Sequence, residues 1–155
     1  MNPLPTPGLS FFANLRVQVG SPQTVGQTLR GLRRVIPILG GQVKGQGWDG
    51  RVLPGGADFQ LIFNATSSEL DARYVIELDG GDLIYVRNHA LRSADPEVMA
   101  LLLRGEPVPP DAVYFRCVPS LETASGTLGW VNDRLFMGTG VRHPDSVQMT
   151  FFSVD

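Results

Sequence analysis

The run Arg73-Tyr-Val-Ile-Glu-Leu-Asp-Gly-Gly-Asp-Leu-Ile-Tyr-Val-Arg-Asn88 constrains this chain more than any other stretch. Two alternating segments meet at an Asp-Gly-Gly turn, the pattern of an antiparallel hairpin. Alternation puts Tyr74, Ile76 and Leu78 on one face and Arg73, Val75 and Glu77 on the other. The hairpin therefore predicts antiparallel β-structure with ionisable side chains set among apolar ones.

The rest of the chain extends this pattern. Leu9 to Val19 alternates Leu9, Phe11, Ala13, Leu15, Val17 and Val19 against mostly polar neighbours, a period-two strand signal. Gln27 to Leu39 reads as a second strand, with Pro37 pointing to an edge or a bulge because it has no backbone donor. Glycines at 40, 41, 45, 47 and 50 suit bends in a curved sheet. Leu53 to Gly56 is a turn, Ala57 to Phe63 a strand and Asn64 to Ser68 a polar connection.

A single helix is expected from about Pro96 to Arg104, with Asp95 as N-cap, Gly105 as terminator and Val98, Leu101 and Leu102 as its buried stripe. After a connector at Pro107 to Asp111, strands are expected at Val113–Leu121, Leu128–Asn132, Leu135–Val141 and Ser146–Val154. Roughly eight to ten strands and one helix fit a meandering barrel or a sandwich. The many bends, and a helix available to cover an opening, favour the barrel, whose mouth or interior is the natural ligand site.

At 155 residues the chain has the size of one domain, with residues 1–8 as a flexible Pro-rich arm and 9–155 as the barrel. A net charge of -2 and scattered arginines argue against nucleic acid as a partner. No stretch has the length and composition of a membrane span or a secretory signal. The lone Cys117 has no internal disulfide partner, so a cytoplasmic protein without membrane partners is expected.

Several segments together resemble a known family: Pro-Ile-Leu-Gly-Gly at 37–41, Leu-Pro-Gly-Gly-Ala-Asp-Phe-Gln at 53–60, Leu-Asp-Ala-Arg-Tyr at 70–74, Ile-Tyr-Val-Arg-Asn at 84–88, Tyr-Phe-Arg at 114–116 and Glu-Thr at 122–123. The likeness continues through Trp130, Val131 and Asn132, then Leu135, Phe136 and Gly138 to Gly140. On these residues the chain resembles the bacterial and fungal domain of unknown function 3237 family. That resemblance implies an antiparallel lipocalin-like (calycin-like) β-barrel, usually self-associating, with no metal or nucleotide site. It also implies cofactor-free conversion of aromatic, polyketide-like or other small organic molecules. The family's polar signature falls on Asp58, Asp71, Arg73, Asn88, Arg116, Glu122 and Asn132. Phe59 stands where the family pattern has tryptophan, and His89-Ala90 where a residue followed by glycine is usual.

The candidate acids and bases are Asp58, Asp71 and Glu122, because a carboxyl in an apolar cavity has its pKa raised toward neutrality. Their alternative role is structural: Asp71 lies two residues from Arg73 on one strand face, and Asp58 follows a Pro-Gly-Gly turn whose amides it can cap. Arg73 and Arg116, if inward, would hold a carboxylate, phenolate or enolate, and Tyr85 could stabilise the same oxyanion. Asn88, His89, Asp71, Asn132 and the aromatic Phe59 and Trp130 are candidate ligand contacts, with core packing as the alternative for the aromatics and for Asn88. His89 and His143 lack metal-site spacing, and His143 sits in an Arg-His-Pro-Asp turn. No cofactor is expected.

Two functions are compatible with this apparatus, beside a structural oligomer whose motifs serve packing. One is a cofactor-independent enzyme in which Asp58 or Glu122 moves a proton and Arg73, Arg116 or Tyr85 stabilises the oxyanion, giving isomerisation, elimination or hydration, or lactone opening or closure. The other is a noncatalytic carrier or sensor. In the enzyme, Asp58, Arg73, Asn88, Arg116 and Glu122 are expected to converge on one cavity.

Overall fold

The computed structural model describes all 155 residues. Its strands are β1 (Leu9–Val19), β2 (Gln23–Thr28), β3 (Gly31–Gly45), β4 (Asp49–Val52), β5 (Ala57–Ile62), β6 (Ser67–Leu78), β7 (Leu83–Ala94), β8 (Val113–Thr123), β9 (Phe136–Arg142) and β10 (Ser146–Val154); the helix α1 spans Pro96–Leu103. All pairings are antiparallel. From β6 to β10 each strand pairs with the next, and β10 returns to β1, which pairs with β3 and closes the ring.

Two ring positions are shared. β4 and β5 lie end to end between β3 and β6, and β2 continues the line of β1 along β3. The strands thus form a closed eight-position antiparallel barrel with one helix. No helix is long and apolar enough to cross a membrane.

The long β3 makes this closure possible. It is flanked by β2 and β5 over its first half and by β1 and β4 over its second. Pro37 falls where its neighbour changes from β2 to β1, so the missing N–H breaks no ladder bond, while its carbonyl accepts from Gly20 N at 2.9 Å. Gly41 has φ +153° and lies so close to the Arg16 carbonyl that a Cβ has no room. The glycines expected to be bends at 40, 41 and 45 are therefore inside one continuous, sharply curved strand.

Other boundaries differ from expectation for local reasons. The segment from Gln27 to Leu39 is two strands, because the chain reverses at Leu29-Arg30, with Gly31 (φ +139°) packed on the Ile62 carbonyl. A register shift between Phe11 and Ala13 turns Phe12 inward and leaves Leu9 and Phe11 exposed, against the simple alternation. Residues 128–132 do not form a strand. Gly129–Asp133 is a 3₁₀ turn with Leu128 and Val131 buried, three residues apart, and Asn132 exchanging two bonds with the Thr123 backbone at 2.9 Å each. In α1 the fully buried pair is Met99 and Leu102, with Val98 and Leu101 half-buried; the Asp95 side chain makes no cap bond, and Gly105 (φ +79°) ends the helix.

Inward residues of every strand except β2 and β5 build one core, including Leu15, Val17, Ile38, Val43, Tyr74, Ile76, Ile84, Val86, Phe115, Met149 and Phe151. The barrel's two ends are finished differently. One is plugged by Phe12 packed on Trp48, Trp130 and Phe136, with ring centroids 5.3, 5.5 and 5.0 Å away. At the other, α1 lies against residues of β3, β5, β7 and β9 that include three arginines.

Candidate functional site

Strand parity selects what faces the interior. On β5 the inward residues are Asp58, Gln60 and Ile62; on β6 Leu70, Tyr74 and Ile76; on β7 Val86, Asn88, Ala90 and Arg92; on β8 Phe115 and Cys117. Asp58, Tyr74 and Asn88 line a small cavity of about 40 Å³ whose other walls include Val17, Ile38, Phe115 and Met149. Gln60 lines the next space outward, a pocket of about 180 Å³ under α1 that also receives Arg34, Arg92 and Arg142. Gln60 joins the two, its Nε2 donating to Asp58 Oδ2 at 3.0 Å.

Three buried polar atoms in the inner cavity have no hydrogen-bond partner: Asp58 Oδ1, Asn88 Oδ1 and the Tyr74 hydroxyl. Each unsatisfied group costs about 1–3 kcal/mol. Burial pushes the Asp58 carboxyl up to about 6, against the opposing pull of the Gln60 bond and the Arg92 charge. Asp58 therefore exchanges its proton close to neutral pH. Burial, then the neighbouring Cys117 and Asp58, drives the Tyr74 phenol well above its ordinary range, so it is a neutral donor. Burial likewise lifts the Cys117 thiol to about 12, which leaves it unsuited to nucleophilic work.

The outer pocket is basic. Arg34 Nη1 donates to the Leu103 carbonyl at 3.3 Å, while Arg142 donates to Leu102 O at 2.8 Å and Glu106 O at 3.1 Å, so both guanidiniums hold the C-terminal end of α1. Burial lowers the pKa of all three arginines, Arg92 to about 10, and the positive neighbours of Arg92 push it further the same way.

Most other candidates from the sequence lie outside the barrel. Of the five residues expected to converge, Asp58 and Asn88 face the interior, while Arg73, Arg116 and Glu122 face outward, because each directly adjoins an inward residue on its strand. Arg73 Nη2 bonds Asp71 Oδ2 at 3.1 Å, and Arg87 Nε lies 3.9 Å from Asp71 Oδ1. His89 pairs with Glu69 at 2.7 Å. Arg116 donates to the Phe115 carbonyl at 2.9 Å and stacks on Tyr114. Tyr85 and Glu122 are ladder neighbours on the outer wall, and Phe59 is exposed. Trp130 and Asn132 belong to the aromatic end, far along the barrel from α1.

Sequence reasoning passed over Arg34, Gln60, Tyr74, Arg92 and Arg142. Parity could have found three of them: Gln60 stands two residues from Asp58, Arg92 four from Asn88, and Tyr74 lies on the apolar hairpin face. A larger hollow of about 550 Å³ lies at the aromatic end, but it is bordered mainly by the turns at 45–49 and 78–82 and contains no buried ionisable group. No three His, Cys, Asp or Glu side chains are grouped so as to hold a metal ion.

Comparison with known proteins agrees with this architecture. Residues 7–154 match the family described as Protein of unknown function (DUF3237). A UPF0311 protein of Rhodopseudomonas palustris is 42% identical over 143 residues, covering 92% of this chain and 94% of its own. The crystal structure of a conserved protein of unknown function from the same organism superposes with a TM-score of 0.92 at 39% identity, over 98% of this chain and 100% of that one. A beta-barrel like protein of Acinetobacter baumannii gives 0.83 at 30% identity over 99% of both chains. The crystal structure of an enzyme from Penicillium herquei gives 0.74 at 18% identity over 100% of both chains, a likeness of fold.

Proposed function

The chain belongs to the DUF3237 family of proteins of unknown function, and we propose that its barrel catalyses cofactor-independent proton transfer on a small organic molecule. The observation that carries this reading is Asp58: a carboxyl buried in an apolar cavity, with one oxygen free of any partner and a pKa of about 6. A base poised there can take a proton from carbon beside a carbonyl. The C–H electron pair becomes a C=C bond as the carbonyl π pair moves onto oxygen, giving an enolate, and protonated Asp58 returns the proton at a second position. Tyr74, held neutral, and the Asn88 amide can hydrogen-bond the developing oxyanion.

Isomerisation uses this sequence directly. Elimination follows the same enolate with expulsion of a β-hydroxyl as water, protonated by Asp58, and hydration is its reverse. In lactone opening or closure Asp58 would instead deprotonate the attacking water or hydroxyl and return the proton to the departing oxygen. The inner cavity admits only the reacting end of a substrate, so the remainder occupies the outer pocket under α1. A barrel of this shape is an enzyme in Penicillium herquei, which supports the fold's capacity for catalysis without naming a reaction.

Deuterium exchange tests the proposal. Small keto acids, ketones and lactones incubated in D₂O with the protein should acquire deuterium beside the carbonyl, measured by mass spectrometry. Asp58→Asn keeps size and should keep the fold while lowering the exchange rate by about 10² to 10⁴. Ligand binding with no exchange, or equal exchange by Asp58→Asn, would leave a noncatalytic binding barrel in its place.

A further inference from the structure

We infer that the ligand is an organic carboxylate, and that Arg92, flanked by Arg34 and Arg142, receives its anionic group under α1. This rests on reading that end of the barrel as the ligand site. Arg92 is only 4% exposed, yet its buried Nε has no acceptor and its guanidinium forms no ion pair; the face of Phe115 lies 5.8 Å away. Arg34 Nε is likewise buried without an acceptor. No ion pair in the molecule includes any of these three arginines: five lie on the outer wall or in turns, and the sixth, Arg104–Glu106, joins two exposed side chains at the pocket's rim.

A buried guanidinium without an acceptor is costly, and three sharing one pocket repel each other. The only carboxyl that acts on Arg92 is Asp58, which spends its one bond on Gln60. With Asp58 ionised the cluster still holds two uncompensated positive charges, which the last carbonyls of α1 offset in part. An anion entering the pocket therefore meets preorganised donors. A planar carboxylate matches the paired N–H edge of a guanidinium.

Geometry also narrows the ligand. Arg34 pairs with Gln60 across the β3–β5 ladder and Ile36 with Asp58, which sets Arg34 two strand residues, roughly 7 Å, from the carboxyl level; Arg92, opposite Ser68 and through it Ile62, is set four residues from that level, and its long side chain lines the same pocket as Gln60. A molecule anchored at Arg92 and reacting at Asp58 carries its carboxylate a few bonds from the reactive carbon, as a small keto, hydroxy or aromatic acid does.

Calorimetric titration with acetate, benzoate and levulinate, with the amide of the tightest binder and with inorganic phosphate, at one ionic strength, tests this inference. At least one carboxylate should bind saturably, its amide and phosphate more weakly. Arg92→Met should weaken that carboxylate by roughly tenfold or more. Arg73→Met, altering an outer-wall residue, should leave it unchanged. Asp58→Asn should retain binding, so loss of catalysis and loss of carboxylate recognition are read separately. Binding by none of the three, equal binding of the amide, tighter binding of phosphate, or unchanged affinity in Arg92→Met overturns the inference. Should Arg92→Met fail to fold, the wild-type Arg92 Nε–H resonance decides: it should shift on adding the carboxylate, and a resonance that stays in place is equally fatal.

Discussion

The two ends of the barrel are closed by opposite means. At one, Phe12, Trp48, Trp130 and Phe136 pack tilted or edge-on, with centroids 5.0 to 5.9 Å apart, and nearby polar groups such as Asn132 are fully bonded. At the other, Arg34, Arg92, Asp58, Asn88 and Tyr74 keep buried polar atoms without partners. The first arrangement gains dispersion and hydrophobic energy with nothing left unsatisfied. The second sacrifices stability for groups that only an occupant can satisfy, as expected where binding or chemistry takes place.

The sharpest way to break this contrast is to remove the plug. Phe12→Ala should lower unfolding free energy by about 3–5 kcal/mol in urea titration, since the ring is 4% exposed and meets three aromatic partners. A loss under about 1 kcal/mol would show that the aromatic end does not carry the stability assigned to it.

The polar end should instead reveal itself through pH. The folded-state pKa of Asp58 is raised from the ordinary 3.8 to about 6, so between those values the folded protein keeps a proton that the unfolded chain has released. Stability from this group is complete below about pH 4 and is lost as pH rises through 6, a fall of about 3 kcal/mol. Asp58→Asn should remove that part of the pH profile. Superimposable profiles for wild type and Asp58→Asn would refute the perturbed carboxyl.

The smallest effect is expected on the outer wall. Removing the Asp71–Arg73 pair by Arg73→Ala should leave the urea unfolding midpoint nearly unchanged, because the guanidinium is solvated and the pair is screened. A clear drop in that midpoint, or a fall in deuterium exchange, would return Arg73 to the site.

Much of the barrel was legible in local pattern. The hairpin Arg73–Asn88 forms β6 and β7 with Asp71 opposite His89 and Arg73 opposite Arg87, and β10 has the predicted bounds. Departures arose where something other than alternation governed the chain. Asn132 bonding to Thr123 favoured a 3₁₀ turn over a strand, and close backbone approach at Gly41 allowed β3 to run on through glycines. The site was less legible. Arg73 and Tyr74 are neighbours on one strand, and their sequence shows that they face opposite ways without showing which way is inside.

By itself, the sequence determined antiparallel strands, one short helix with its proline start and glycine stop, and the sorting of side chains into two faces along each strand, because these follow from backbone sterics and a period of two. Tertiary structure alone decided which face became the interior, how the bulge at Phe11 reset that choice, and which distant residues met. Asp58, Asn88, Arg34, Arg92 and Arg142 come from four separate strands and share one end only once β10 has joined β1. Closure removes that end from water, and desolvation turns ordinary charged side chains into a carboxyl that titrates near neutrality beside arginines awaiting an anion.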